Sequence, residues 1–136
     1  SRDSRLRSCT AAAWKGDYLA LGAEDGVCVW SFSAAGFLPV SSSTTAAVLP
    51  PVRRIRFAPG KGNYRLLVLH AGGIAVLDGK ERTVTAARTQ PREILPVLDA
   101  DWATSDRLVL LSQDGCLRVM DCELREAVSS TESYEP

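Results

Sequence analysis

The 136 residues carry 16 Lys or Arg against 16 Asp or Glu, and this zero net charge, with no aromatic interleaving of the basic positions, argues against nucleic acid as a partner. No run approaches the roughly 18 apolar residues of a membrane helix, so direct insertion into a membrane is not expected. The four cysteines, at 9, 28, 116 and 122, lack the short paired spacing of zinc or disulfide scaffolds, which points to reduced thiols and a cytoplasmic setting.

Residues 1–8 are polar and basic without an apolar period and read as a lead-in; Arg2, Asp3, Arg5 and Arg7 interrupt any secretory signal there. Short apolar runs then predict strands at 9–14, 18–23, 27–32 and 37–40, with Glu24, Asp25 and Gly26 in a hairpin turn. Residues 41–51, SSSTTAAVLPP, read as a loop, since a Ser/Thr run ending in two prolines cannot support a strand ladder.

A second unit follows. Residues 52–58 alternate, setting Ile55 and Phe57 on one face and Arg54 and Arg56 on the other. The segment PGKGN at 59–63 makes a turn, 65–70 and 74–78 form a hairpin, 83–87 is an outer strand, and 89–96 connects. In the third unit, strands are expected at 97–102, 107–112 and 116–122. The hairpin signal is strongest here, two apolar runs flanking Gln113, Asp114 and Gly115, with an outer strand at 125–129 and a tail at 130–136. No segment has a helical period.

The three units are repeats, spanning 9–41, 52–88 and 97–129. Trp14, Phe57 and Trp102 end their first strands at separations of 43 and 45 residues, and the hairpin ends Trp30, Leu77 and Met120 are 47 and 43 apart. Several strands per unit at this period is the signature of propeller blades. Because propellers close with typically four to eight blades, three read as part of a larger ring, with a compact sandwich of three sheets as the competing architecture.

Leu77-Asp78 and Met120-Asp121 stand where WD-repeat proteins carry Trp-Asp, while Trp30-Ser31 keeps the Trp and loses the Asp. RIRFAPGKGN at 54–63 and LDADWATSDRLVLLSQDGCLRVMD at 98–121 resemble a large two-propeller member of that family. No Gly-His dipeptide precedes a blade, so the family's His-Ser/Thr-Asp-Trp clamp is not assembled and packing must hold the blades. The resemblance implies an all-β fold, a partial WD-repeat β-propeller of about three four-stranded antiparallel blades. It further implies a non-enzymatic interaction scaffold, a vesicle-tethering factor between endosomes and the trans-Golgi. Its implied partners are tethering-complex subunits and acidic peptide segments, with ties to the cilium and Hedgehog signalling and locations at Golgi, vesicles, cilium or nucleus. Two alternatives stay open: a signalling adaptor that binds a transcription factor, and a fragment of an enzyme whose catalytic residues lie elsewhere.

Each chemical constellation has a plainer reading beside it. A nucleophilic triad would need His70, the sole histidine, which ends a strand where the other units have Ala23 and Ser112; a structural role is expected. PGKGN is not a phosphate loop, since Ile55 stands where its first Gly belongs and Gly62 where Ser or Thr belongs. The carboxylate pairs Glu24-Asp25, Asp99-Asp101 and Asp121-Glu123 read as solvated edges, Cys116 and Cys122 as small core residues, and Trp14, Trp30, Phe57 and Trp102 as core packing. No cofactor is implied. Residues 1–65 carry nine cations against four carboxylates, and residues 66–136 seven against twelve. Within that basic front, Arg53, Arg54, Arg56, Lys61 and Arg65 are the candidate contacts for an acidic peptide.

Overall fold

In a computed structural model of the chain, the described residues are 9–23, 26–33, 36–42, 51–80, 83–89, 97–127 and 132–133, and none of them is helical. The first sheet holds β1 (Ala11–Lys15), β2 (Tyr18–Ala23), β3 (Gly26–Ser33) and β4 (Gly36–Ser42). The second holds β5 (Val52–Phe57), β6 (Arg65–His70), β7 (Gly73–Asp78) and β8 (Thr83–Thr89). In the third are β9 (Val97–Thr104), β10 (Arg107–Ser112), β11 (Cys116–Asp121) and β12 (Glu132–Ser133). Each sheet is an antiparallel meander in chain order.

The hairpins sit where the apolar runs predict them because register follows burial. In the second sheet Leu66 pairs with Leu77 and Val68 with Ala75, while Leu67 pairs with Val76 and Leu69 with Ile74. The two sets point to opposite faces, and both are buried. Leu66, Val68, Ala75 and Leu77 meet Ala20, Val27 and Val29 of the first sheet, together with Val52 and Ile55. Leu67, Leu69, Ile74 and Val76 meet Val97, Ala100, Leu108, Leu110 and Met120 of the third. A strand covered on both sides needs a continuous apolar run, which is why β6 reads LLVL and not apolar-polar alternation.

Phe57 and Trp102 pack against the core that separates their own sheet from the preceding one. Trp14 occupies the same place in its unit but lies on the face turned away from the second sheet, where it is 58% exposed. The expectation of core packing therefore fails for Trp14, for a positional reason: no sheet among the described residues covers that face. Trp14 aligns across the first sheet with Leu19, and Leu19 with Trp30.

The fourth strand of the third sheet also differs from expectation. Asp121 accepts the backbone N–H groups of Glu123 and Arg125 through Oδ1, at 2.9 and 3.0 Å, folding 121–125 into a turn. Residues 125–127 then lie against the end of β11 through the Met120–Glu126 bridge, the bonds from Asp121 N to Arg125 O at 2.8 Å and from Ala127 N to Val119 O at 2.9 Å, and the Arg118–Glu126 ion pair at 3.6 Å. The outer strand is β12, pairing with Cys116 and Leu117 inside the expected tail. Ser41 and Ser42 belong to β4 and Thr89 to β8, so the connectors begin later than expected. The rest of the first connector at 43–50, the second at 90–96, the lead-in at 1–8 and the end of the tail at 134–136 lie outside the described residues.

Candidate protein-interaction site

The PGKGN turn between β5 and β6 is built by its own residues. The 2.9 Å bond from Ala58 N to Arg65 O closes its base, and Asn63 N donates to Gly60 O at 3.1 Å. Gly60 and Gly62 have φ of 107° and 77°, a region that favours glycine, so the two glycines are what allow so short a reversal. Asn63 is the hub: its Nδ2 donates to Pro59 O at 3.1 Å and to Ser105 O at 2.8 Å, while its Oδ1 accepts Arg65 N at 3.2 Å.

The first sheet reaches over to hold the same turn. Lys15 Nζ donates to the carbonyls of Ala58, Gly60 and Asn63, the last two at 2.7 and 2.6 Å. Burial holds its pKa below the usual lysine value. Tyr64 is wedged behind the turn, 4.6 Å from Tyr18 and edge-on to Phe57 at 6.2 Å between ring centroids. The ammonium groups of Lys15 and Lys80 stand 5.6 and 5.3 Å from the centroid of that ring. A Cβ on Gly16 would come within 2.8 Å of the Tyr64 hydroxyl, so glycine is required at 16 for the wedge to seat.

Beside this turn opens a cleft of about 490 Å³, lined by Lys61, Tyr64, Arg65, Asp78, Lys80 and Ser105 with the turn backbone. Of the five basic residues expected to form one surface, Lys61 and Arg65 are in this cleft. Arg65 Nη1 reaches Ser105 O at 3.4 Å. The other three lie along the seam between the second and third sheets. Arg53 donates to the carbonyls of Val97 and Leu98 at 3.3 and 3.2 Å. Arg54 pairs with Asp99 at 3.3 Å, and Arg56 with Asp101 at 2.7 Å. Trp102 Nε1 completes the seam, donating to Arg56 O at 3.0 Å. Asp99 and Asp101 are thus partners of the arginines and not merely solvated edges.

Sequence reasoning missed Lys80. A signal for it existed: it follows the Leu77-Asp78 pair at the hairpin end, where Asp78 Oδ1 accepts Lys80 N at 2.9 Å and turns the chain back toward 59–63. Asp121 does the corresponding work in the third unit, so the acidic residue of each Trp-Asp-like pair is a turn-former here.

The residues that could carry covalent chemistry are set for structure. His70 is buried, its Nδ1 accepting Gly72 N at 3.0 Å. The hydrogen bond with Asp114 raises the Cys116 thiol pKa, and burial raises that of Cys122, the reverse of what a nucleophile needs. Among the described residues no group of three or more His, Cys, Asp and Glu could hold a metal ion.

No protein-family profile matches the chain. Among curated proteins it is similar to WD repeat-containing protein 11 of Mus musculus and of Homo sapiens, each 37% identical over 137 residues, 98% of this chain and 11% of theirs. The protein of that name from Danio rerio is 40% identical over 127 residues, 92% of this chain and 10% of its own length. The chain therefore spans about a tenth of these relatives. Among solved structures, apo AztD from Citrobacter koseri superposes with a TM-score of 0.69 at 18% identity, over 94% of this chain and 35% of AztD. The computationally designed Ika4 protein follows at 0.58 and 16%, over 87% of this chain and 71% of its own. At those identities the likeness concerns the fold alone, and with AztD that fold is a β-propeller, of which the three sheets form a part.

Proposed function

We propose that this chain, homologous over nearly its whole length to a tenth of WD repeat-containing protein 11, works as a protein-interaction scaffold without catalysis, holding acidic segments of partner proteins at the cleft beside the 59–63 turn. The observation that carries the reading is the convergence of Lys61, Arg65 and Lys80 on one concave space whose backbone is clamped from both neighbouring sheets. Clamped backbone lowers the ordering cost of binding, and charge complementarity supplies selectivity and encounter rate. Arg53, Arg54 and Arg56 lie along the seam and outside this cleft, and Arg54 and Arg56 act in binding through whatever charge their pairs with Asp99 and Asp101 leave.

The resemblance supports a finer role, a vesicle-tethering factor between endosomes and the trans-Golgi that works with tethering-complex subunits from the cytoplasmic side. The test uses the full-length chain with Lys61→Glu and Lys80→Glu, both exposed positions. Capture of a fluorescent Asp/Glu-rich peptide is expected to fall at least tenfold, and recruitment to trans-Golgi vesicles to fall with it, while the thermal midpoint stays put. Capture unchanged by the double reversal would remove the reading.

A further inference from the structure

We infer that the cleft beside the 59–63 turn is a phosphate pocket, and that the partner segment anchors there by a phosphorylated side chain; this rests on the scaffold reading above and states what the cleft holds. Among the described residues, three cationic side chains, Lys61, Arg65 and Lys80, and one carboxylate, Asp78, line the cleft, leaving two positive charges in excess. A phosphate monoester carries about 1.5 to 2 negative charges near neutrality and matches that excess. A lone Asp or Glu of the partner would leave half of it uncompensated.

Arg65 is tied at two points, its backbone N–H to Asn63 Oδ1 and its Nη1 to Ser105 O, which directs its guanidinium along the cleft wall. That planar fork suits a phosphoryl oxygen pair, and lysines add point charges on other sides of the tetrahedron. Lys80 is steered by the 5.3 Å approach of its ammonium to the Tyr64 ring, and its backbone is fixed by the Asp78 turn. The rim over Gly62 is bare: a Cβ there would meet nothing within 4 Å, so a ligand can come down close to the backbone. Lys15, behind Tyr64, is spent on three carbonyls and serves the pocket by fixing its floor.

The walls are polar and the cations exposed, which suits a charged group and not an apolar ligand. Phosphate on a peptide is favoured over phosphate on a lipid because, among the described residues, aliphatic side chains that would enter a bilayer are missing from the cleft lining.

The experiment takes the full-length chain and one Asp/Glu-rich peptide made in three forms, with phosphoserine, Ser or Glu at its centre. The phosphoserine form is expected to bind about tenfold more tightly than the Glu form, to be displaced by inorganic phosphate, and to weaken as salt screens the cations. Lys61→Gln with Lys80→Gln is expected to erase the preference at an unchanged thermal midpoint, and Arg125→Gln in the turn after β11 to preserve it. Equal binding of the phosphoserine and Glu forms would overturn the phosphate pocket and leave the acidic-segment reading standing. Failure of all three peptides to bind would bring down both. Phosphatidylcholine vesicles doped with a phosphoinositide form a fourth arm, and binding confined to them would overturn the peptide proposal in favour of a lipid headgroup.

Discussion

Lys15 shows how much one side chain can organise. An ammonium partly withdrawn from water makes up its lost hydrogen bonds by finding acceptors, and Lys15 finds the carbonyls of Ala58, Gly60 and Asn63 in the next unit. Lys15→Met keeps the stem and removes the donors, so it is expected to cost about 1–3 kcal/mol in urea unfolding and to weaken peptide binding through the turn. Its titration has a definite sign. Burial puts the folded pKa below the ordinary 10.5, so in the window between the two the unfolded chain binds more protons and stability rises with pH. Urea midpoints measured across that window should show the rise in the parent chain and lose it in Lys15→Met. The sequence announces Lys15 only as a polar residue closing an apolar strand. Its three acceptors lie 43 to 48 residues away, and nothing local encodes them.

Between elements, β2 packs closely on β5 at Gly22. A Cβ on Gly22 would fall 2.5 Å from Val52 Cγ1 and 3.2 Å from Ile55 Cδ1, and a β-branched valine has little freedom to yield. Gly22→Ala is therefore expected to destabilise by about 1–3 kcal/mol by forcing the first two sheets apart, read as a lowered urea midpoint with β content retained. The strands β2, β6 and β10 were legible to the residue, because a Gly-bearing turn between two apolar runs specifies a hairpin from neighbours alone. The last strand was not. Residues 125–129 carry as much strand signal as 132–133, and the choice falls to Asp121, whose two backbone hydrogen bonds use up the intervening chain in a turn. For the same kind of reason the five basic residues looked equivalent in sequence, and the approach of β9 divided them into a seam and a cleft.

At the scale of the molecule, the described residues cover the middle sheet on both faces and each outer sheet on one. Trp14, Leu19 and Trp30 line up across the far face of the first sheet, and Val109 with Val119 and Leu111 with Leu117 across that of the third. Apolar surface of this kind drives association in water, so the isolated 136-residue chain is expected to self-associate as its concentration rises. Sedimentation velocity should show this, and Leu19→Lys with Val109→Lys should shift the distribution toward monomer; a chain that stays monomeric unmodified would contradict it. By itself the sequence determined the repeat, the all-β class and the turns, because strand alternation and glycine turns are written in residues a few positions apart. Only the tertiary structure decided which cations are neutralised, which aromatic stays exposed and where the cleft opens, because those outcomes depend on charges and side chains some 40 residues distant that meet only once the sheets have stacked.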